Sequence, residues 1–178
     1  MGIPTLISTH TASDSSSIDI TSGIDSTYDE YMFVLTDVNP ATDRPNFTMQ
    51  FNVVGQSGFN ETITSTFFRA YHEEADSATA LQYEASRDQA QGTAYQPLTS
   101  TAGNGADESC AGIVHLFSPS NTTYVTHFYS RFTMNSADSE AFDEYCAGYI
   151  NTTSAIDEIS FKMSSGNFDG VIQMYGIS

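Results

Sequence analysis

Apolar and polar residues alternate along this chain with a period of two, and almost nowhere with the period of a helix. Ile18 and Ile20 flank Asp19. Tyr31, Phe33 and Leu35 alternate with Met32, Val34 and Thr36, which predicts a strand covered on both faces. Phe47, Met49, Phe51 and Val53 alternate with Thr48, Gln50 and Asn52, which predicts one buried face and one wet face. Residues 63–71 read as a strand with Arg69 at its rim, and 113–117 as another. In 124–134, Tyr124, Phe128, Phe132 and Met134 share one face, and Val125, His127, Tyr129 and Arg131 the other. Ile159, Phe161 and Met163 predict a further strand, and 171–177 the last.

Turn chemistry separates these runs. Residues 39–43 (Asn-Pro-Ala-Thr-Asp) form a loop, and Pro119-Ser120-Asn121 splits Phe117 from Tyr124. Gly55, Gln56, Ser57 and Gly58 predict a hairpin between Phe51 and Ile63. Eight or more short strands at this spacing predict a single all-β domain over 1–178, an antiparallel β-sandwich of jelly-roll type, with helix below about a tenth of the residues. The expected core includes Phe33, Leu35, Phe51, Val53, Phe67, Leu116, Phe128, Phe161 and Ile172. Two stretches depart from the pattern. The lead 1–17 is too polar to build core and is expected to be an arm ordered on a neighbour. Segment 73–109 is poor in large apolar residues, with Leu81, Tyr83, Tyr95 and Leu98 as anchors, and reads as a long excursion with one weak strand.

Composition narrows the partners. The 178 residues carry 5 Lys and Arg against 22 Asp and Glu, a net charge of −17. Such a chain repels phosphate, so neither nucleic acid nor an anionic membrane surface is an expected partner. The 12 Phe and 10 Tyr argue against disorder. No apolar run approaches the length of a membrane-spanning helix. The first basic residue is Arg44, so the charged start of a secretory signal is missing, and the Asn-x-Thr sequons at Asn46, Asn60, Asn121 and Asn151 are read as chance in a Thr-rich chain.

Candidate chemistry is sparse. No G-x-S-x-G elbow accompanies the 23 Ser and 4 His. Cys110 with His115, or Cys146 with His127, would make a dyad only if the fold joined them. The two cysteines have no metal-ligand spacing and are expected as buried thiols rather than a bridge. His72-Glu73-Glu74 lacks the second histidine of a zinc helix. Asp37, Asn39 and Asp43 offer oxygen ligands in a loop without the full calcium-loop pattern. Adjacent acids such as Asp143-Glu144 point to opposite faces of a strand and form no shared site. The expectation is therefore a protein that is not an enzyme, with no catalytic residues, no metal and no cofactor. The exposed row Val125, His127, Tyr129 and Arg131 is too aromatic for a freely solvated face. It is expected either to be an interface or to lie under the 73–109 excursion.

Two stretches resemble virion structural proteins of tailed bacteriophages, marine ones in particular. In 6–43 these are a Ser-rich lead, Ile18-Asp19-Ile20, Tyr28-Asp29-Glu30-Tyr31 and Asn39-Pro40-Ala41-Thr42-Asp43. In 154–178 they are Ile156, Ile159 and Phe161, then Ser165-Gly166-Asn167-Phe168, then Tyr175-Gly176-Ile177. Together they span about a third of the chain. The C-terminal pattern recurs in proteins of capsid surface, tail and fibre. The resemblance implies a β-sandwich, no catalysis and a place on the exterior of a phage particle. The leading expectation is a capsid decoration or cement protein, with the major capsid protein or other virion proteins as partners. Its rival is a tail or fibre module that reads host glycans through exposed Tyr83 or Tyr95. A homo-oligomer, with a trimer as the expected symmetry, fits the three-fold sites of a capsid surface. In the C-terminal motif Gly166 and Asn167 suit positive φ, Phe168 suits an end plug, and Gly176 suits close approach of a neighbouring backbone.

Overall fold

The computed structural model describes residues 2–178, and among them it holds twelve strands and no helix. In chain order the strands are β1 (Thr5–Ser15), β2 (Ile18–Ile20), β3 (Glu30–Pro40), β4 (Phe47–Val53), β5 (Ile63–Glu73) and β6 (Thr79–Tyr83). There follow β7 (Gln96–Pro97), β8 (Cys110–Phe117), β9 (Thr126–Asn135), β10 (Glu140–Ile150), β11 (Ile156–Met163) and β12 (Phe168–Ile177). Eight strands form one sheet in the order β1-β12-β3-β8-β9-β10-β5-β6, and four form the other in the order β2-β11-β4-β7. Every neighbouring pair is antiparallel. The result is the expected all-β sandwich.

Alternation puts the apolar set of each strand between the sheets. Phe33, Leu35, Phe51, Val53, Phe67, Leu116, Phe128, Phe161 and Ile172 are all buried, as the pattern predicts. Phe47 sits at the centre. Its ring stacks on Phe161 at 5.9 Å, meets Phe168 edge-on at 5.4 Å, and lies 6.1 Å from Phe132. Burying one Phe fully contributes about 2–3 kcal/mol, so this four-ring cluster joins β4, β9, β11 and the start of β12 into one core.

Several expectations are corrected. β3 is not covered on both faces: Tyr31, Phe33 and Leu35 are fully buried, but Met32 and Val34 are half-exposed and Thr36 is exposed. β4 is the strand covered on both faces, since Thr48, Gln50 and Asn52 are buried. The covering layer is the 73–109 excursion and the loop before β5. Gln50 Nε2 donates to the carbonyls of Glu61 and Ala94, both at 3.0 Å, and Asn52 Oδ1 accepts from the Phe59 amide at 2.7 Å. The residues 55–58 do not turn a hairpin, because β4 and β5 belong to different sheets and the segment crosses between them.

The polar lead is not a free arm. β1 pairs along β12 as the edge of the eight-stranded sheet and contributes Ala12 to the core. Backbone hydrogen bonding holds this strand where its side chains alone would not. In the excursion only Leu98 acts as a buried anchor. Leu81 and Tyr83 are exposed on β6, and Tyr95 is half-exposed with the Lys162 ammonium 3.9 Å from its ring centroid. Tyr124 is exposed and precedes β9, so it does not share the face of Phe128. At the C-terminus Gly166 takes φ +73°, whereas Asn167 does not leave the ordinary region and uses its side chain to bind the Asp14 carbonyl at 2.9 Å. Gly176 makes room for the ring of Tyr28, not for a backbone.

Candidate functional site

The outer face of the eight-stranded sheet points away from the core and carries the largest exposed side chains of the sandwich. Strand registers align them into rows. One row runs Tyr83, Phe68, Tyr145, Arg131, Ile113, Val34 across β6, β5, β10, β9, β8 and β3. Phe68 and Tyr145 stack with ring planes 4° apart at 4.8 Å, and the Arg131 guanidinium lies over the far side of Tyr145 at 5.2 Å. Arg131 also grips Asp143 with two hydrogen bonds of 2.9 Å, and the Tyr145 hydroxyl donates to the same carboxylate at 3.1 Å. The Arg131 hydrogen bond holds the Asp143 carboxyl below its ordinary pKa. A row nearer the loop end contains Met32, His115, Tyr129 and Ala147. His115 stacks on Tyr129 at 4.6 Å and its Nδ1 is bonded to Glu30. Phe117 lies 5.6 Å from Tyr129, and His127 is 6.1 Å from Tyr149.

Beside the aromatic row lies a row of smaller side chains: Leu81, Ala70, Asp143, Thr133 and Ala111. The drop in side-chain size cuts a groove across the strands. Its main section, about 470 Å³, is lined by Val34, Thr36, Ala111, Ile113, Arg131 and Thr133, and is mostly apolar. A second section of about 340 Å³ continues past Thr133 and Asp143 to Ala70 and His72.

Three of the four residues singled out by the sequence lie on this face. His127, Tyr129 and Arg131 point outward from β9, with Tyr129 42% exposed. Val125 does not join them on the strand, for it sits half-buried in the loop before β9. The excursion does not cover the face. Its 84–100 part lies against the other sheet, where Leu98 donates its amide to the Phe47 carbonyl at 2.7 Å and Tyr95 donates its hydroxyl to Ser160 at 3.1 Å. The sequence reading missed Phe68, Tyr145 and Asp143. For Tyr145 and Asp143 the signal was the alternation of 140–150, in which Glu144 occupies a core position and disguises the strand; Phe68 lies on the outward face of β5, within the strand read at 63–71.

Other candidates are separated by the fold. Cys110 and Cys146 are buried free thiols on the inner face, opposite His115 and His127, so neither dyad forms. Burial pushes the Cys110 thiol up to about 12 and the Cys146 thiol also upward. Asn39 donates its side-chain amide to the Glu108 carbonyl at 2.6 Å, and Asp43 lies 3.8 Å from Arg44. Among the described residues no group of three or more His, Cys, Asp or Glu side chains converges.

Charge sets the face apart. No Asp or Glu occurs between Glu108 and Asp138, the stretch that holds β8 and β9. Across β8, β9, β10, β5 and β6 the one outward carboxylate is Asp143, and it is paired with Arg131. Glu30, at the start of β3, is paired with His115. A chain of charge −17 thus keeps one broad face nearly neutral, and that face is aromatic. No protein-family model matches this chain, and no curated protein does.

Proposed function

We propose that this chain is a non-enzymatic structural component of a phage virion, a decoration or cement protein on the outside of the capsid. Its partners in this reading are the major capsid protein or other virion proteins, together with further copies of itself. The observation that supports it is the neutral, aromatic outer face of the eight-stranded sheet. Phe68 and Tyr129 are 41% and 42% exposed there, in a molecule whose remaining surface is strongly acidic. Desolvated aromatic faces gain most from protein contact, and acids elsewhere discourage unspecific contact. The resemblance of 6–43 and 154–178 to phage virion proteins supports the location in this reading. Mass spectrometry of purified particles tests the reading. The protein should be present in proportion to the major capsid protein, and its absence from particles would refute the assignment.

The groove gives a second reading a specific footing. Asp143, Arg131 and Thr133 offer polar groups on its floor beside an apolar wall, which suits an uncharged glycan. A tail or fibre module of this kind would be present in few copies per particle. It would also bind host-cell glycans in isolation, and Tyr83 or Asp143 substitutions would abolish that binding.

A further inference from the structure

We infer that two copies of this chain pack face to face through the outer surfaces of their eight-stranded sheets. The two-fold axis runs along the strands between β9 and β10. This rests on the reading of that face as a protein-contact surface, and it stands apart from where the protein is found.

The argument is one of register. From a line between β9 and β10, the strands on one side are β9, β8 and β3, and on the other β10, β5 and β6. Rotation by half a turn about that line lays β10 over β9, β5 over β8 and β6 over β3 of the other copy. Heights along the strands are unchanged, so each row meets itself. In the aromatic row Tyr83 comes to lie over Val34, Phe68 over Ile113, and Tyr145 over Arg131. In the next row Ala147 of β10 comes over Tyr129 of β9, a small residue over a large one.

The row of smaller side chains is the most telling. Leu81 on β6 is 75% exposed, an apolar knob without a partner in its own chain. At the mirrored position over β3 and β8 lies the 470 Å³ groove, walled by Val34, Thr36, Ala111 and Ile113. The knob of each copy therefore meets the hole of the other, twice, which is the self-complementarity an isologous interface requires.

Area and charge agree. Six strands about 4.8 Å apart and about eight residues long at about 3.4 Å each span about 800 Å². That is the area per partner of an ordinary stable interface. Two molecules of charge −17 repel over most approaches, but in this footprint Glu30 and Asp143 are already paired, and Asp37 on β3, exposed beside Thr36, is the unpaired acid it brings in. Screening of the remaining acids should strengthen the pair as salt rises. Face-to-face pairing closes with two-fold symmetry, in place of the three-fold symmetry expected from the sequence.

The test is a cross-link that one chain cannot make. Leu81 and Thr36 stand five strand spacings apart, about 24 Å, far beyond the roughly 7 Å limit of a disulfide. Both native cysteines are buried. A Leu81→Cys, Thr36→Cys double variant should oxidise to a covalent dimer and to nothing larger. By sedimentation the unmodified protein should have twice the 19.3 kDa of one chain. Phe68→Asp should weaken the pair at least about tenfold, with an unchanged circular dichroism spectrum. Ile3→Asp, outside the footprint, should leave the pair intact. A monomer at every salt concentration would overturn the inference. So would a dimer indifferent to Phe68→Asp, or failure of the double variant to cross-link. A monomer that instead binds neutral oligosaccharides through the groove would overturn it in favour of the glycan reading.

Discussion

The backbone amide of Ser100 donates to Glu144 Oε2 at 2.9 Å, and the Ser100 hydroxyl donates to the other oxygen of the same carboxylate. Glu144 is fully buried on the inner side of β10, a position its neighbours Phe142 and Cys146 fill with apolar groups. Arg69 donates to Ser100 Oγ at 3.1 Å and pairs with Glu84 at 3.2 Å, while its guanidinium lies 4.6 Å from the Phe142 ring centroid. This network fastens the end of the excursion to the large sheet. It is also the least comfortable place in the core, since a buried carboxylate is tolerated only when its bonds are made.

Stability should therefore fall with pH around Glu144. Burial raises its pKa to about 7 against 4.5 for the free side chain, partly offset by the Ser100 bonds. A carboxyl with a raised folded-state pKa keeps its proton in the fold after the unfolded chain has lost it. Its favourable contribution is complete below about pH 4.5 and is gone above about pH 7, a change of about 3 kcal/mol at most. Glu144→Gln keeps the shape and cannot ionise. Urea unfolding should show the variant gaining on the native protein between pH 5 and pH 8; a stability difference that is the same at both would refute the account.

Phe47 should be among the most costly core residues to truncate. Its ring touches three others from three strands, so Phe47→Ala leaves a cavity that cannot collapse from one side. The expected loss is about 3–5 kcal/mol. Denaturant midpoints at constant slope measure it, and a loss below that of an ordinary surface change would count against the central position of this ring.

Gly148 on β10 should not tolerate a methyl group. A Cβ there meets the Thr64 carbonyl of β5, the Phe128 ring and the Ser65 side chain together. One of these neighbours is backbone, so relief requires strand displacement. Gly148→Ala should cost about 1–3 kcal/mol. Calorimetry should show a melting temperature lower by several degrees, and an unchanged melting point would show the strand to be free to move.

The thiols should be silent in the fold. Cys110 and Cys146 are 1% and 2% exposed, and burial opposes the thiolate at both. At pH 8 a thiol reagent should label neither until denaturant is added. Rapid labelling of either residue in buffer would show that the core opens there.

Much of the strand set was legible because side chains with a period of two must segregate to two faces. β3, β4, β9, β11 and β12 announce themselves through Phe33, Phe51, Phe128, Phe161 and Ile172. β1 and β10 did not. Thr5–Ser15 has no apolar face and becomes a strand because β12 offers it a ladder of backbone partners. In β10 the core position of Glu144 breaks the alternation, and only Ser100, brought from a distant segment, makes that carboxylate acceptable. Of the candidate face, the row His127, Tyr129 and Arg131 was visible within one strand, whereas Phe68, Tyr145 and Asp143 join it only through pairing.

The sequence by itself determined the all-β class, the core residues, the acidity of the surface and the presence of one aromatic row without acids. These follow from local alternation and composition, which need no knowledge of neighbours. Tertiary structure decided which sheet each strand joined, that the excursion covers β4 rather than the outer face, and that Leu81 and the groove beside Ala111 stand at mirrored positions. Those depend on pairings between residues far apart in the chain, set by the closure of backbone hydrogen bonds and the packing of two whole sheets.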